Sequence, residues 1–331
     1  MNASVIGGGS WGSAFARYLG RNGIPTRLWV REAEIFRDLV RTRENRTFLP
    51  GYRFPANVGF SRNIREAVLP AEVLFIAVPS QYCRSIYARM APFLEDRQIV
   101  VSLTKGIEQK SLRRMSQVME EVFRPHARPR LAVLSGPSFA RDVAADHPTA
   151  LVVASKHEET ARTVQHLISS LTIRAYTSSD VTGVEIAGAL KNVIAIAAGI
   201  VDAMDFGLNS RAALITRGLV EITELGLSLG ASRRTFSGLA GVGDLVLTCT
   251  GELSRNHYVG YQLGKGKSLE AILSRMKMVA EGVHTTISAE RLSKAHRIEM
   301  PIANQIYQVL YRSKPARKAL EDLMSRALRA E

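Results

Sequence analysis

Three glycines, Gly7, Gly9 and Gly12, recur with G-x-G-x-x-G spacing directly after the short apolar run Ser4 to Ile6, and Ser13 to Leu19 beyond them has the polarity pattern of a helix. In a strand-turn-helix unit each of these glycines has its own mechanical task. The first permits the tight turn, the second lets the backbone approach a pyrophosphate, and the third allows the helix to pack close to the strand, with the phosphate on the helix N-terminus. The spacing alone is a weak signal, because flexible turns use glycine anyway. The strand before it and the helix after it make a bound dinucleotide the expectation. The second strand, Thr26 to Val30, ends on Arg31 and Glu32. An arginine there pairs with a 2′-phosphate and favours NADPH, whereas an acidic residue binds the unmodified ribose and leaves NADH open. Arg31 also has a plain reading as a solvated surface arginine.

A second chemical signal lies in Val184 to Met204, where Glu185, Lys191, Asn192 and Asp202 are the only polar residues in a segment of Ala, Gly, Ile and Val. A helix apolar nearly all round is a buried helix. At helical spacing Val184, Ala187, Lys191, Ile194 and Ala198 share one stripe, so an ammonium stands among small apolar side chains. Burying that charge unpaired costs several kcal/mol, so it needs partners or a task. Desolvation lowers a lysine pKa, and a lysine so tuned can hydrogen-bond a carbonyl oxygen and give up a proton as an alkoxide forms. Reduction of a ketone by hydride requires such a donor. The competing reading is a lysine that snorkels to water.

These residues need a scaffold, and the chain supplies two kinds. From residue 2 to about 177, β-branched runs alternate with helix-like segments, the pattern of a mainly parallel sheet with crossover helices. The predicted strands are Ser4 to Ile6, Thr26 to Val30, Val73 to Val78, Ile99 to Leu103, Leu131 to Leu134, Leu151 to Ala154 and Ile173 to Tyr176. They lack clean alternation, which indicates burial on both faces. After Ser179 the strand signal vanishes, and helix follows helix with breaks near Gly207, Gly230, Gly251, Gly266 and Pro301. The expected fold is α/β: a Rossmann-type domain over residues 1–178, followed by an all-helical substrate-binding and catalytic domain over residues 179–331.

Composition narrows the partners. The 331 residues carry a formal charge of +14, which invites a nucleic-acid reading. The charge is diffuse, however: the densest stretch, Arg17 to Arg53, mixes nine arginines with Glu32, Glu34, Asp38 and Glu44, and aromatic residues make up only 7% of the chain. No nucleic-acid partner is expected, and an anionic small substrate suits the charge better. The apolar run Val193 to Val201 falls short of the roughly 20 residues a bilayer needs, so no membrane insertion is expected. No signal peptide is readable. Cys83 and Cys249 stand far apart and read as small buried hydrophobes in a reducing, cytoplasmic compartment. No zinc-type Cys/His spacing is present, and no metal is expected.

Taken jointly and in order, a set of motifs resembles the bacterial NAD(P)+-dependent glycerol-3-phosphate dehydrogenases nearly end to end. They are Gly7-Gly8-Gly9-Ser10-Trp11-Gly12, Val78-Pro79-Ser80, Thr104-Lys105-Gly106, Ser135 to Ala140 (SGPSFA), Gly188 to Ala195 (GALKNVIA), Ala213 to Gly218 (ALITRG), Ala240 to Leu245 (AGVGDL), Leu247 to Thr250 (LTCT), Ser254-Arg255-Asn256 and Val279 to Gly282 (VAEG). The resemblance implies reversible hydride transfer between NADPH or NADH and dihydroxyacetone phosphate, giving sn-glycerol 3-phosphate for phospholipid synthesis, in a homodimer.

The resemblance also implies roles for single residues. Lys191 is the proton donor in reduction. Lys105 touches cofactor and substrate, a task suited to a flexible cation, though alone it reads as a solvated loop lysine. Asp244 contacts the substrate or holds the charged lysine, where by itself it reads as a turn or N-cap residue. Asn192 supports Lys191 or the substrate. Ser254, Arg255 and Asn256 anchor the substrate phosphate at a helix start, with Arg255 also reaching the cofactor; a simple cap by Ser254 is compatible with that geometry. Gly136 and Ser138 complete the substrate pocket. Ser10, Trp11, Ala140, Val279 and Glu281 join Gly7, Gly9, Gly12 and Arg31 as cofactor contacts.

Overall fold

The structure is a computed structural model and describes residues 1–327. Two compact units emerge among the described residues: 1–105 with 113–185, and 106–112 with 186 onward. One continuous helix, Val181–Ala203, runs through the division between them at residues 185 and 186.

The first unit is built on an eight-stranded sheet: β1 (Ala3–Ile6), β2 (Thr26–Trp29), β3 (Val58–Ser61), β4 (Val73–Ile76), β5 (Ile99–Ser102), β6 (Arg130–Ser135), β7 (Thr149–Ala154) and β8 (Ile173–Ser178). Its spatial order is β3-β2-β1-β4-β5-β6-β7-β8. All neighbouring pairs are parallel except β6 with β7. The order reverses at β1, which pairs with both β2 and β4, and a ligand crevice forms beyond the strand ends at such a switch point. β4 shows why its strands read as unbroken apolar runs. All four of its residues are buried, Val73 and Phe75 in one core layer and Leu74 and Ile76 in another, so the sheet is covered on both faces. β3 escaped the sequence reading because Val58-Gly59-Phe60-Ser61 is short, interrupted by glycine, and on the sheet edge.

The second unit is helical. Gly207–Ser228, Asp244–Thr250, Arg255–Gly264, Glu281–His296 and Pro301–Tyr311 gather with Val181–Ala203 around a core of Ile186, Leu190, Val193, Ile196, Leu225, Phe236 and Val259. The predicted breaks coincide with helix ends: Gly207 opens one helix with positive φ, Gly251 caps another, and Pro301 stands at a helix start. Val181–Ala203 is long and apolar enough to cross a membrane, but its most apolar window is entirely buried within the protein.

Candidate active site

The glycine turn lies between β1 and the helix Ser10–Arg21, whose N-cap is Gly9. A Cβ on Gly12 would collide with the Gly7 carbonyl oxygen, so only glycine lets the helix sit this close to the turn. A Cβ on Gly9 would meet nothing within 4 Å. Packing therefore does not demand glycine at that position, and open space remains where a ligand would approach the backbone. No side chain caps the helix start, and its first turn has no acidic residue, as an anion site requires. These features fit a dinucleotide pyrophosphate.

The turn is held from behind by a residue that the sequence did not flag. Asn45 is 1% exposed, and its Nδ2 donates to the Gly8 carbonyl at 2.7 Å and to Ser13 Oγ at 2.8 Å. Ser10 Oγ donates to the Phe48 carbonyl at 2.7 Å, tying the same loop to the helix start. A lone amide in a loop carries no periodic signal, so only the folded contacts identify Asn45. Trp11 is half-buried beside Phe15, and it packs with Ala140 on a small cluster of Ala14, Leu49 and Ala144.

Three residues predicted to touch the substrate meet in the first unit. Lys105 Nζ and Ser138 Oγ each donate to the Gly136 carbonyl, both at 2.9 Å, where Gly136 turns the chain with φ +130°. Arg31 lies at the end of β2 and is paired with its neighbour: Nη2 reaches Glu32 Oε1 at 2.7 Å, and the guanidinium lies 5.8 Å from the Tyr82 ring centre. The two residues that pointed to different coenzymes are thus each other's partners.

In the second unit Lys191 is 6% exposed and forms an ion pair with Asp244, which is fully buried. Lys191 Nζ also donates to Thr248 Oγ1 at 2.7 Å. Thr248, one turn beyond Asp244 on the same helix, donates its own hydroxyl proton to the Asp244 carbonyl at 2.6 Å, which turns the oxygen lone pairs toward the ammonium. Asp244 opens its helix after a π-type turn, Leu239–Gly243. Lys191 is therefore held inward by a carboxylate and a hydroxyl. Snorkelling is not what this lysine does, and Asp244 is more than a turn residue.

The neighbouring residue extends the network. Asn192 Oδ1 accepts from Asn256 Nδ2 at 2.8 Å, and Asn256 Oδ1 accepts from the Gly282 N–H at 2.9 Å. Ser254 caps the helix Arg255–Gly264 by accepting from the His257 N–H at 3.2 Å, as the capping reading expected. Arg255 Nη1 donates to the Val279 carbonyl at 2.8 Å, two residues before Glu281 starts the helix Glu281–His296. Asn256 and Gly282 thus meet the helix Val181–Ala203 midway along it, at Asn192, with Arg255 and Val279 joined beside them. Gly260 allows the approach: a Cβ there would strike the Ile196 carbonyl. A further strap was not anticipated, His257 Nε2 against Asp202 Oδ2 at 2.7 Å, with Arg211 on the same carboxylate at 3.0 Å. Cys249, next to Thr248, is buried, and burial pushes its thiol up to about 12. Among the described residues no cluster of three or more His, Cys, Asp or Glu side chains is arranged to hold a metal ion.

Comparison with known proteins agrees over the whole chain. The family profile described as the NAD-dependent glycerol-3-phosphate dehydrogenase N-terminus matches residues 2–161, and that described as its C-terminus matches residues 180–321. The glycerol-3-phosphate dehydrogenase [NAD(P)+] of Geobacter sp. (strain M21) is 50% identical over 328 residues, 99% of this chain and 98% of that one. The same enzyme of Geobacter sulfurreducens is 50% identical over 327 residues, again 99% and 98% of the two chains. The crystal structure of glycerol-3-phosphate dehydrogenase from Coxiella burnetii superposes with a TM-score of 0.94 at 34% identity, covering 98% of this chain and 99% of that one. A Rossmann sheet with an unblocked glycine turn, a buried lysine–aspartate pair and full-length likeness at this identity lead to one assignment: the chain belongs to the NAD-dependent glycerol-3-phosphate dehydrogenase family.

Proposed function

We infer that the protein interconverts dihydroxyacetone phosphate and sn-glycerol 3-phosphate with NAD(P)H, and that Lys191 is its proton donor in the direction of reduction. The observation that carries the assignment of Lys191 is its buried pairing with Asp244 and Thr248 on an otherwise apolar helix. A nicotinamide coenzyme, when bound, supplies or accepts the hydride. As hydride adds to the ketone carbon, the carbonyl π pair becomes an alkoxide lone pair, and Lys191 Nζ transfers a proton to that oxygen. The lysine is left as an amine and is reprotonated from solvent; in oxidation the same amine takes the alcohol proton. Asp244 holds the lysine in one orientation until the transfer. Thr248 fixes the remaining direction of the ammonium.

The substrate phosphate is proposed to lie against Ser254, Arg255 and Asn256, where the N–H groups of a ten-residue helix and a guanidinium address one anion. Lys105, Gly136 and Ser138 are further proposed substrate contacts. The pyrophosphate belongs at Gly7, Gly9 and Gly12, with Ser10, Trp11, Ala140, Arg255, Val279 and Glu281 as further coenzyme contacts. Arg31 is assigned to a 2′-phosphate, with NADPH preferred and NADH accepted. Its bond to Glu32 is an exposed ion pair worth about 0–1 kcal/mol, which a phosphate readily displaces. A homodimer and a cytoplasmic location are part of this proposal, the first supported by the family and the second by two buried free thiols.

Oxidation of NADPH and NADH in the presence of dihydroxyacetone phosphate tests the reaction. Turnover with both coenzymes is expected, and absence of turnover with that ketone refutes the assignment. Arg31→Asp is expected to lower the NADPH to NADH ratio of kcat/KM, and an unchanged ratio removes Arg31 from coenzyme choice. Light scattering reads the oligomeric state, and a monomeric mass refutes the dimer.

A further inference from the structure

A cavity of about 460 Å³ opens in the first unit at the start of β6, between the helix Met115–Phe123 and the loop after β7. It lies on the far side of the sheet's layout from the glycine turn. Arg130, at its mouth, pairs with the first residue of β5, whereas the glycine turn follows the last residue of β1. Ligand pockets have volumes of about 300–1,000 Å³, so the space suits a small molecule. Its lining has two parts. Leu131, backed by the buried Phe123 and Ala127, gives an apolar floor, and Arg124, Arg128, Arg130 and Lys156 stand around it with Glu120 as the single carboxylate.

That carboxylate is already used, because Lys156 Nζ holds Glu120 Oε1 at 2.8 Å. Arg130 faces Glu159 at 3.7 Å. Among the described residues the guanidiniums of Arg124 and Arg128 have neither an ion pair nor a hydrogen bond; the only contact of Arg128 with a carboxylate is through its backbone N–H, to Asp96. Two uncompensated guanidiniums beside an apolar floor form a cationic, amphipathic site. Guanidinium forks match phosphate in both geometry and charge.

We propose that this cavity is a second anion-binding site, separate from the catalytic phosphate anchor, that takes a phosphate monoester carrying an apolar group. The phosphate lies between Arg124 and Arg128, and the apolar group covers Leu131. Because β6 runs from this cavity to Gly136 and Ser138, an occupant is joined by one strand to the proposed substrate residues of the same unit.

Calorimetric titration with n-hexyl phosphate tests the proposal independently of enzymatic turnover. The full chain is expected to bind it, with inorganic phosphate and hexanoate each weaker by about tenfold or more, since each offers half of the interaction. Arg124→Ala/Arg128→Ala, changing two exposed side chains, is expected to weaken binding by about tenfold or more while leaving kcat for dihydroxyacetone phosphate unchanged. Arg255→Ala, which removes the catalytic anchor instead, is expected to leave n-hexyl phosphate binding intact. The proposal is overturned by equal affinity in the wild type and the double variant, by equal affinity for inorganic and hexyl phosphate, or by loss of binding in Arg255→Ala.

Discussion

The pairing of Lys191 with Asp244 can be tested by Lys191→Met, Asp244→Leu and the double variant. Both groups are nearly inaccessible, at 6% and 0% exposure, so neither is rescued by water when its partner is removed. Removing one member of a buried ion pair leaves an uncompensated charge and costs about 3–5 kcal/mol, whereas replacing both with apolar groups of similar size is often close to neutral. Each single variant should therefore lose about 3–5 kcal/mol in urea unfolding, while the double variant loses much less than the sum, a coupling of several kcal/mol. A protein of ordinary stability, about 5–15 kcal/mol, still folds after the single loss, so the cycle is measurable. Catalysis should not follow the same pattern. Lys191→Met and the double variant are both expected to lose about 10²–10⁴ in kcat, because a positioned proton donor is absent from each. Stability recovered without activity recovered is the signature sought. Additive stability losses would show that the two side chains are not energetically coupled, and a kcat within tenfold of wild type in Lys191→Met would show that another group donates the proton.

Three further outcomes follow from local geometry. Gly9→Ala is expected to leave the melting temperature unchanged yet weaken coenzyme binding, while Gly12→Ala lowers the melting temperature, since only the second Cβ meets backbone; equal melting temperatures would refute this reading of the turn. Glu221 is buried and accepts the N–H groups of Ile302 at 2.7 Å and Ala303 at 3.1 Å, and burial, partly offset by those bonds, raises its carboxyl to about 7. Its folded value lies above its unfolded one, so its contribution is full below about pH 4.5 and fades as pH rises through 7. Unfolding free energies of wild type relative to Glu221→Gln should fall by about 3 kcal/mol between pH 4.5 and 7.5, and parallel pH curves would contradict this. Cys249, with its thiol raised to about 12, should resist iodoacetamide in the native protein at pH 8 and react only after unfolding, as mass spectrometry of the alkylated peptide would show.

The sequence by itself determined the features that depend on near neighbours. A strand, three spaced glycines and a helix are contiguous, so the cofactor turn was legible from Ser4 to Leu19. Seven of the eight strands were legible because a sheet covered on both faces needs unbroken apolar runs, and β3 was lost because a short edge strand with a glycine does not. Lys191 drew notice as a charge in an apolar helix. Its partner did not follow from spacing, since Asp244 lies 53 residues on, and only the fold decides that a carboxylate after a π-type turn meets that ammonium. The same holds for Asn45 behind the glycine turn, and for the pairing of Arg31 with its neighbour Glu32. Local periodicity is written in the chain because backbone geometry repeats every two or 3.6 residues. Which polar groups satisfy one another inside the protein depends on contacts between distant segments, and only the tertiary structure decides those.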